Sequence, residues 1–496
     1  MLPLGFLGAT LVLCHGVSSL GIRDSPPRAT LKNGTYEGLH VSSYNQDLFL
    51  GIPYAQPPVG DLRLRNPLSL NESFDVKQAV EYAPSCYGYG NSDAWPYVLS
   101  EDCLTLNVIR PAGQQNGSKL PVAVWIHGGG YVMDYSANGV YNLSFIVQKS
   151  VEIQKPMIAV SLDYRLSAWG FLASDEILSH GVANLGLKDQ YLALRFIKEN
   201  IAAFGGDPEK ITIWGETYGR DDGLFRGVIA ESAFEPSHAN NLTLPNERYA
   251  NLSAAVGCSD ASDTLDCLRK VPTDVLDSAI AKIVPTTSFY PVLLAQGTFA
   301  KVPLLIGSNS DEGTTFSPSG INTDEDFTQS VLSDGPDENN TAIISSLYPD
   351  IPSVGIPVSY HAWYNHGVPS YAFQFDSLLP NSPAYLGTGH FQEIAYVFYN
   401  IEGEGYESDQ VPFKDATEGM LKLADLMSRM WISFVVDQDP NNHGISDIPE
   451  WPVYNNSLGY ASEFYFNTES PRAQLDNYRL EGTTFINAIQ ETQYGR

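Results

Sequence analysis

The sequence predicts an α/β protein built on a mostly parallel central sheet with helices on both faces, and three observations carry that prediction. The first is a set of short, near-continuous apolar runs: Val122-Ala-Val-Trp-Ile126, Met157-Ile-Ala-Val-Ser-Leu162, Ile211-Thr-Ile-Trp214 and Val302-Pro-Leu-Leu-Ile306. Strands that alternate would show one wet face, whereas unbroken apolar runs of this length belong to a sheet covered on both sides. The second is an amphipathic stretch from Leu187 to Phe204, where Leu187, Tyr191, Leu194, Ile197, Ile201 and Phe204 recur at intervals of three and four. That spacing puts one apolar stripe on a helix. The third is order: strand, helix and strand follow one another along the chain, as parallel neighbours require.

The run Ile211–Trp214 leads into Gly215-Glu-Thr-Tyr-Gly219. The two glycines bracket a turn of the Gly-x-Ser-x-Gly kind, in which a strand bends so sharply that the central residue is held, strained and exposed, above the sheet. Serine is the residue this turn is built for, and Thr217 stands in its place. A threonine keeps a hydroxyl, but its branched Cβ fits poorly in such a backbone. Only Tyr218 to Phe225, polar and turn-forming around Arg220-Asp-Asp-Gly223, separate the turn from Arg226-Gly-Val-Ile-Ala-Glu231, the next apolar run. Parallel neighbours are joined by about a dozen residues or more, usually a helix, and no such helix is written here. Upstream, the first strand ends directly in His127-Gly-Gly-Gly130. Glycines there let adjacent backbone N–H groups approach a developing negative charge.

Composition bounds the remainder. A chain of 496 residues with 43% hydrophobic residues has ample material for a core, and without repeats, low-complexity tracts or Gly/Ser linkers it is expected to form one folded unit over 20–496. The formal net charge of −29 is spread along the sequence, which argues against nucleic acid or an anionic membrane as partner. Residues 1–19 combine the apolar run Leu2 to Cys14 with the small residues Gly16-Val-Ser-Ser19 and predict a signal peptide, although a basic start is missing. No later stretch is long and apolar enough to span a bilayer, so no integral membrane segment is expected. Eight Asn-x-Ser/Thr sequons, at Asn33, Asn71, Asn116, Asn142, Asn241, Asn251, Asn339 and Asn455, fit an extracellular glycoprotein.

Once the signal segment is removed four cysteines remain: Cys86, Cys103, Cys258 and Cys267. Pairing neighbours would close two local loops, and the sequence alone allows three connectivities. No Cys-x-x-Cys spacing points to zinc, and His361 and His366 lack a His-Glu-x-x-His context, so no metal is expected.

Several stretches taken together, Phe49-Leu-Gly-Ile-Pro-Tyr-Ala-Gln-Pro-Pro-Val-Gly60, Glu101-Asp-Cys-Leu-Thr-Leu-Asn-Val108, the glycine run, Asp163-Tyr-Arg-Leu-Ser-Ala-Trp-Gly-Phe171 and the Gly215–Gly219 turn, make the chain resemble the type-B carboxylesterases. That group includes fungal secreted lipases and esterases, the cholinesterases and the non-catalytic neuroligins. The resemblance runs through nearly the whole chain. It implies an α/β-hydrolase fold, hydrolysis of small-molecule or lipid esters without a cofactor, and disulfides Cys86–Cys103 and Cys258–Cys267. By motif position it implies Glu312, in Gly307-Ser-Asn-Ser-Asp-Glu-Gly313, as the acid and His390, in Gly387-Thr-Gly-His390, as the base, with Thr217 at the nucleophile position. The oxyanion donors it implies are the N–H groups of Gly129, Gly130 and Tyr218.

The chain departs from the resemblance in three places. Thr217 replaces the serine, Tyr218 replaces a small residue, and the segment within Ser288-Phe-Tyr-Pro-Val-Leu-Leu-Ala-Gln-Gly297 is abbreviated. Both shortened blocks leave their flanks intact, as a misplaced splice boundary does. Two functions are therefore weighed: a secreted ester hydrolase whose elbow is damaged in this chain, and a catalytically dead, cholinesterase-like binding protein. Intact Glu312 and His390 favour the first, because a binding surface has no chemical use for an acid and base in sequence order.

Overall fold

The computed structural model describes residues 25–90, 98–215, 223–232, 242–283, 291, 300–315, 321, 323–333, 335–347, 368–380, 386–408, 410–455, 462–477 and 480–493. Its strands, in chain order, are β1 (Arg28–Leu31), β2 (Gly34–Val41), β3 (Gln46–Pro53), β4 (Val76–Ala79), β5 (Ser85–Cys86), β6 (Leu99–Ser100), β7 (Thr105–Pro111) and β8 (Leu120–Ile126). There follow β9 (Ile158–Leu162), β10 (Gly206–Gly215), β11 (Gly227–Glu231), β12 (Leu304–Asn309), β13 (Ser370–Phe375), β14 (Ser462–Phe466) and β15 (Arg472–Leu475).

Thirteen of these strands make one sheet, ordered β1-β2-β3-β7-β9-β8-β10-β11-β12-β13-β14-β15 with β4 beside β2. Its middle is parallel: β9, β8, β10, β11, β12, β13 and β14 pair in that sense one after another. The flanks, β1, β2, β3 and β7 on one side and β15 on the other, carry the antiparallel pairs. All four apolar runs singled out in the sequence lie within or on parallel strands, and the run after the shortened turn is β11.

Alternation along each strand sends side chains to opposite faces. Val122, Val124 and Ile126 join Ile158, Val160, Leu162, Ile211 and Ile213 in one hydrophobic core, together with Ala193, Leu194 and Ile197 of the helix Leu185–Asn200. Ala123, Trp125, Ala159 and Trp214 point the other way, into a second core shared with Met427, Met430, Trp431 and Phe434 of the helix Glu418–Asp437. Both faces are covered, which is why these strands read as unbroken apolar runs.

The predicted helix is present but shifted: it runs from Leu185 to Asn200 and tightens into a 3-10 turn over Ile201–Phe204. Tyr191 does not join its buried stripe and is 36% exposed. Its place on the inner face is taken by Asp189 and Gln190, both buried. Asp189 is tolerated there because Arg165 meets it with two charge-assisted hydrogen bonds, Nε to Oδ2 at 2.7 Å and Nη2 to Oδ1 at 2.6 Å. Periodicity counts apolar residues only, so it could not see a polar anchor on the buried face.

The connection from β10 to β11 is a second difference. Despite its shortness the two strands pair in parallel, with Ile213 opposite Val228. Residues 216–222 lie outside the described residues, and the described remainder, 223–226, is not helical. Two disulfides close, Cys86–Cys103 and Cys258–Cys267, leaving loops with sequence separations of 17 and 9.

Candidate active site

In a parallel sheet the loops after the strands gather at one end, where a ligand meets no covering helix. Here five adjacent strands, β8, β10, β11, β12 and β13, bring their carboxyl ends together in that order. The glycine run follows β8, the Gly215–Gly219 turn follows β10, Ser232 follows β11, Glu312 follows β12, and the segment carrying His390 follows β13.

Glu312 opens a 3-10 turn just beyond β12 and is buried. Its Oε2 lies 2.6 Å from His390 Nδ1. Its Oε1 accepts from the Asn309 backbone N–H at 2.7 Å and from Ser232 Oγ at 2.5 Å. Three donors thus fix one carboxylate in place, and it holds the imidazole through Nδ1. Motif position under the family resemblance brings Glu312 and His390 into consideration; the fold brings them into contact across 78 positions of chain.

The glycine run is held as firmly. Gly129 has φ +93° and Gly130 φ +60°, conformations that favour glycine, and a Cβ on Gly129 would meet the Met133 carbonyl oxygen at 2.4 Å. Neither Gly129 nor Gly130 donates its backbone N–H to another described residue, while the Gly129 carbonyl accepts from the N–H groups of Val132 and Met133. His127 beneath them is buried, and Tyr164 donates its hydroxyl to the His127 carbonyl at 3.0 Å. Asp163 accepts from the Ser136 N–H and hydroxyl, each at 2.7 Å, so the loop after the glycines is tied back to β9. Burial pushes the Asp163 carboxyl above the usual range, and the nearby His127 and the two Ser136 donors pull against that rise.

Three polar residues of this neighbourhood escape sequence reasoning. Ser232 ends an apolar run and looks like an ordinary strand terminus. Asn309 closes β12 three residues before Glu312, where the acid draws attention. Glu393 follows His390 by three positions, a spacing that could have flagged it as sharing one turn with the histidine. It is fully enclosed, and burial together with the neighbouring Glu312 pushes its carboxyl up to about 7.

Thr217 and Tyr218 lie outside the described residues, as do residues 1–19, Asn241, His361 and His366. Of the shortened segment 288–297 only Pro291 is described. Among the described sequons Asn71, Asn116, Asn251, Asn339 and Asn455 are exposed and Asn33 is half-buried. Asn142 is engaged: its Oδ1 accepts from the Ser144 N–H at 2.9 Å, capping a helix, and its Nδ2 donates to Glu404 at 2.8 Å. Among the described residues no group of His, Cys, Asp and Glu side chains could hold a metal ion, and no helix is long and apolar enough to cross a membrane.

A mostly parallel sheet covered by helices, with a strand-end acid–histidine pair and a glycine loop beside it, defines an α/β hydrolase. Within that class the chain belongs to the carboxylesterase family, whose profile matches residues 25–349 and 325–481. It is 32% identical to Lipase 4 of Diutina rugosa over 92% of this chain and 95% of that protein. It is 31% identical to Secreted lipase 1 of Botryotinia fuckeliana over 92% of this chain and 93% of that protein. Among solved structures, that of Aspergillus niger EstA superposes with a TM-score of 0.79 at 26% identity, covering 95% of this chain and 99% of the other.

Proposed function

We propose that this protein is a secreted carboxylic ester hydrolase of the serine-esterase type, folded as a single unit over 20–496, whose nucleophile position is occupied by Thr217. The observation that carries the reading is the 2.6 Å contact between His390 Nδ1 and Glu312 Oε2 at the end of the sheet where the glycine run also lies. In this reading His390 removes the proton from the attacking hydroxyl, which then adds to the ester carbonyl. Glu312 holds the ring and stabilises the imidazolium, and the N–H groups of Gly129 and Gly130, with that of residue 218, face the oxygen that becomes negative. His390 next gives its proton to the leaving alcohol, and the same sequence with water releases the acid.

Secretion is supported by the N-terminal apolar segment, by the sequons and by relatives named as secreted lipases. The exposed sequons are the glycan acceptors in this reading, with Asn142 the least suited because its amide is already bonded. The acyl and alcohol parts of the ester are small-molecule or lipid groups. Thr217 favours a second reading, a catalytically dead relative that serves as a binding surface. Turnover of p-nitrophenyl butyrate by the chain as written and by a form with a restored Gly-Glu-Ser-Ala-Gly elbow and helix separates the two. Activity in the restored form supports the hydrolase; its absence there, with the fold intact, supports the binding protein.

A further inference from the structure

We infer that Asn309 is a positioning residue for His390, clamping the loop that carries the imidazole on both sides of the ring. The inference rests on the reading of Glu312 and His390 as acid and base and adds a residue to it.

Asn309 is the last residue of β12 and is 1% exposed. Its side-chain nitrogen donates twice into the histidine loop: to the Gly389 carbonyl at 2.8 Å, one residue before His390, and to Glu393 Oε2 at 2.5 Å, three residues after it. Its backbone N–H donates to Glu312 Oε1 at 2.7 Å. One residue therefore references both partners of the His390–Glu312 pair to the same strand end.

The loop requires such a clamp. Phe391, directly after the histidine, has φ +79°, a conformation that a side chain with a Cβ adopts only when its surroundings impose it. Upstream the loop is stapled at Thr388, whose N–H donates to Asp311 Oδ2 at 2.8 Å and whose carbonyl accepts from the Asp311 N–H at 3.0 Å. On the far side the Phe391 ring rests edge-on against Tyr141 with centroids 5.8 Å apart. Asn309 lies between these anchors and bridges the positions that flank the ring.

The chemistry at this point suits an amide. Two N–H donors are needed at one atom, one for a neutral carbonyl and one for a carboxyl group. An aspartate would put a third carboxyl beside Glu312 and Glu393, whereas a lysine or arginine would compete with the imidazolium for Glu312. Asparagine supplies the donors without charge.

The test uses the chain as purified and needs no turnover. A hydrogen bond as short as that between His390 and Glu312 shifts its Nδ1 proton far downfield in the proton NMR spectrum, and loss of the signal in His390→Ala assigns it. In Asn309→Leu, similar in size but without donors, we expect that signal to move upfield and to exchange with water about tenfold faster, as loss of a buried hydrogen bond in a locally opening loop implies. Asn309→Gln, which keeps both donors, should restore part of the protection. A role confined to stability would lower the melting temperature and leave the signal in place. An unchanged shift and exchange rate in folded Asn309→Leu overturns the inference. Should that variant fail to fold, Glu393→Leu removes half of the clamp and must move the signal in the same direction, and no movement there overturns it equally. A signal present in a chain without esterase activity supports the clamp while the catalytic reading falls. Its absence from the unsubstituted chain removes the pairing and both readings with it.

Discussion

Tyr164 stacks on His127, their ring centroids 4.7 Å apart and their planes within 18° of parallel, while its hydroxyl donates to the His127 carbonyl at 3.0 Å. This one side chain supports the glycine loop from below in two ways, by ring contact and by satisfying a carbonyl at the point where β8 gives way to Gly128. Tyr164 is itself buried, so it transmits the rigidity of β9 to the loop.

The first prediction follows from that contact. Tyr164→Phe keeps the ring and leaves the His127 carbonyl unpaired, and should lower stability by about 1 kcal/mol. Tyr164→Ala removes the ring as well and should cost about 3–5 kcal/mol, as other deletions of buried aromatic rings do. Urea unfolding of both variants checks the difference. Equal losses would mean that the hydroxyl, and not the stacking, carries the support.

A second prediction concerns Glu463. It is buried on β14, and burial, with Asp476 nearby, pushes its carboxyl up to about 8, against the Gln474 donor at 2.8 Å, which pulls it down. The folded-state value lies above the unfolded one, so between about pH 4.5 and pH 8 the folded chain holds more protons than the unfolded chain. Stability from this group is therefore complete below the lower bound and declines as pH rises through the window, by something on the order of 5 kcal/mol in all. Glu463→Gln keeps an acceptor for Gln474 and carries no charge at any pH. Its melting temperature should exceed that of the parent chain at pH 8.5 and differ little at pH 4.5. Parallel curves for the two proteins across that range would refute the assignment.

The third prediction joins compartment to covalent structure. Cys86–Cys103 closes a loop with a sequence separation of 17, and in the chain-entropy account a loop of that size stabilises by about 3 kcal/mol. Replacing both cysteines by serine should cost about that much. Intact mass of the secreted protein, before and after deglycosylation and reduction, should show loss of residues 1–19, attached glycans and four cysteines released only by reductant. Retention of Met1 with four free thiols would overturn secretion.

Much of the sheet was legible because burial on both faces leaves unbroken apolar runs, as at Val122–Ile126 and Ile211–Trp214. Glu312 and His390 were legible only by motif position, since a lone acid after a strand and one histidine among nine carry no periodicity. Ser232 and Asn309 were not legible, because each bonds a partner distant in the chain, 80 positions away for Ser232 and Glu312 and 84 for Asn309 and Glu393, and only the three-residue spacing from His390 hinted at Glu393. The same holds for Asp189, whose partner Arg165 turns a polar residue into part of a buried helix face. Side chains satisfied at long range leave no local signature, and only the fold brings them together.

The last prediction is that the chain as written hydrolyses aryl esters very slowly or not at all, although Glu312 and His390 are in contact. Threonine can act as a nucleophile, but a branched Cβ fits a strained elbow poorly, and in the proposed reading Tyr218 replaces the small residue that the resemblance implies beside the nucleophile. The connection from Gly215 to Gly227 has no sequence for the helix whose N-terminus would aim the residue 218 N–H at the oxyanion. Loss of a single oxyanion donor lowers the rate about a hundredfold to a thousandfold, and in the proposed reading position, room and donor are all impaired. Thr217→Ser repairs only the first and should leave turnover of p-nitrophenyl butyrate near background. Restoring the Gly-Glu-Ser-Ala-Gly elbow with its helix should bring activity back, and His390→Ala in that form should abolish it. Robust turnover by the unmodified chain, lost in Thr217→Ala, would show that Thr217 is a working nucleophile and that the shortened connection still aims it.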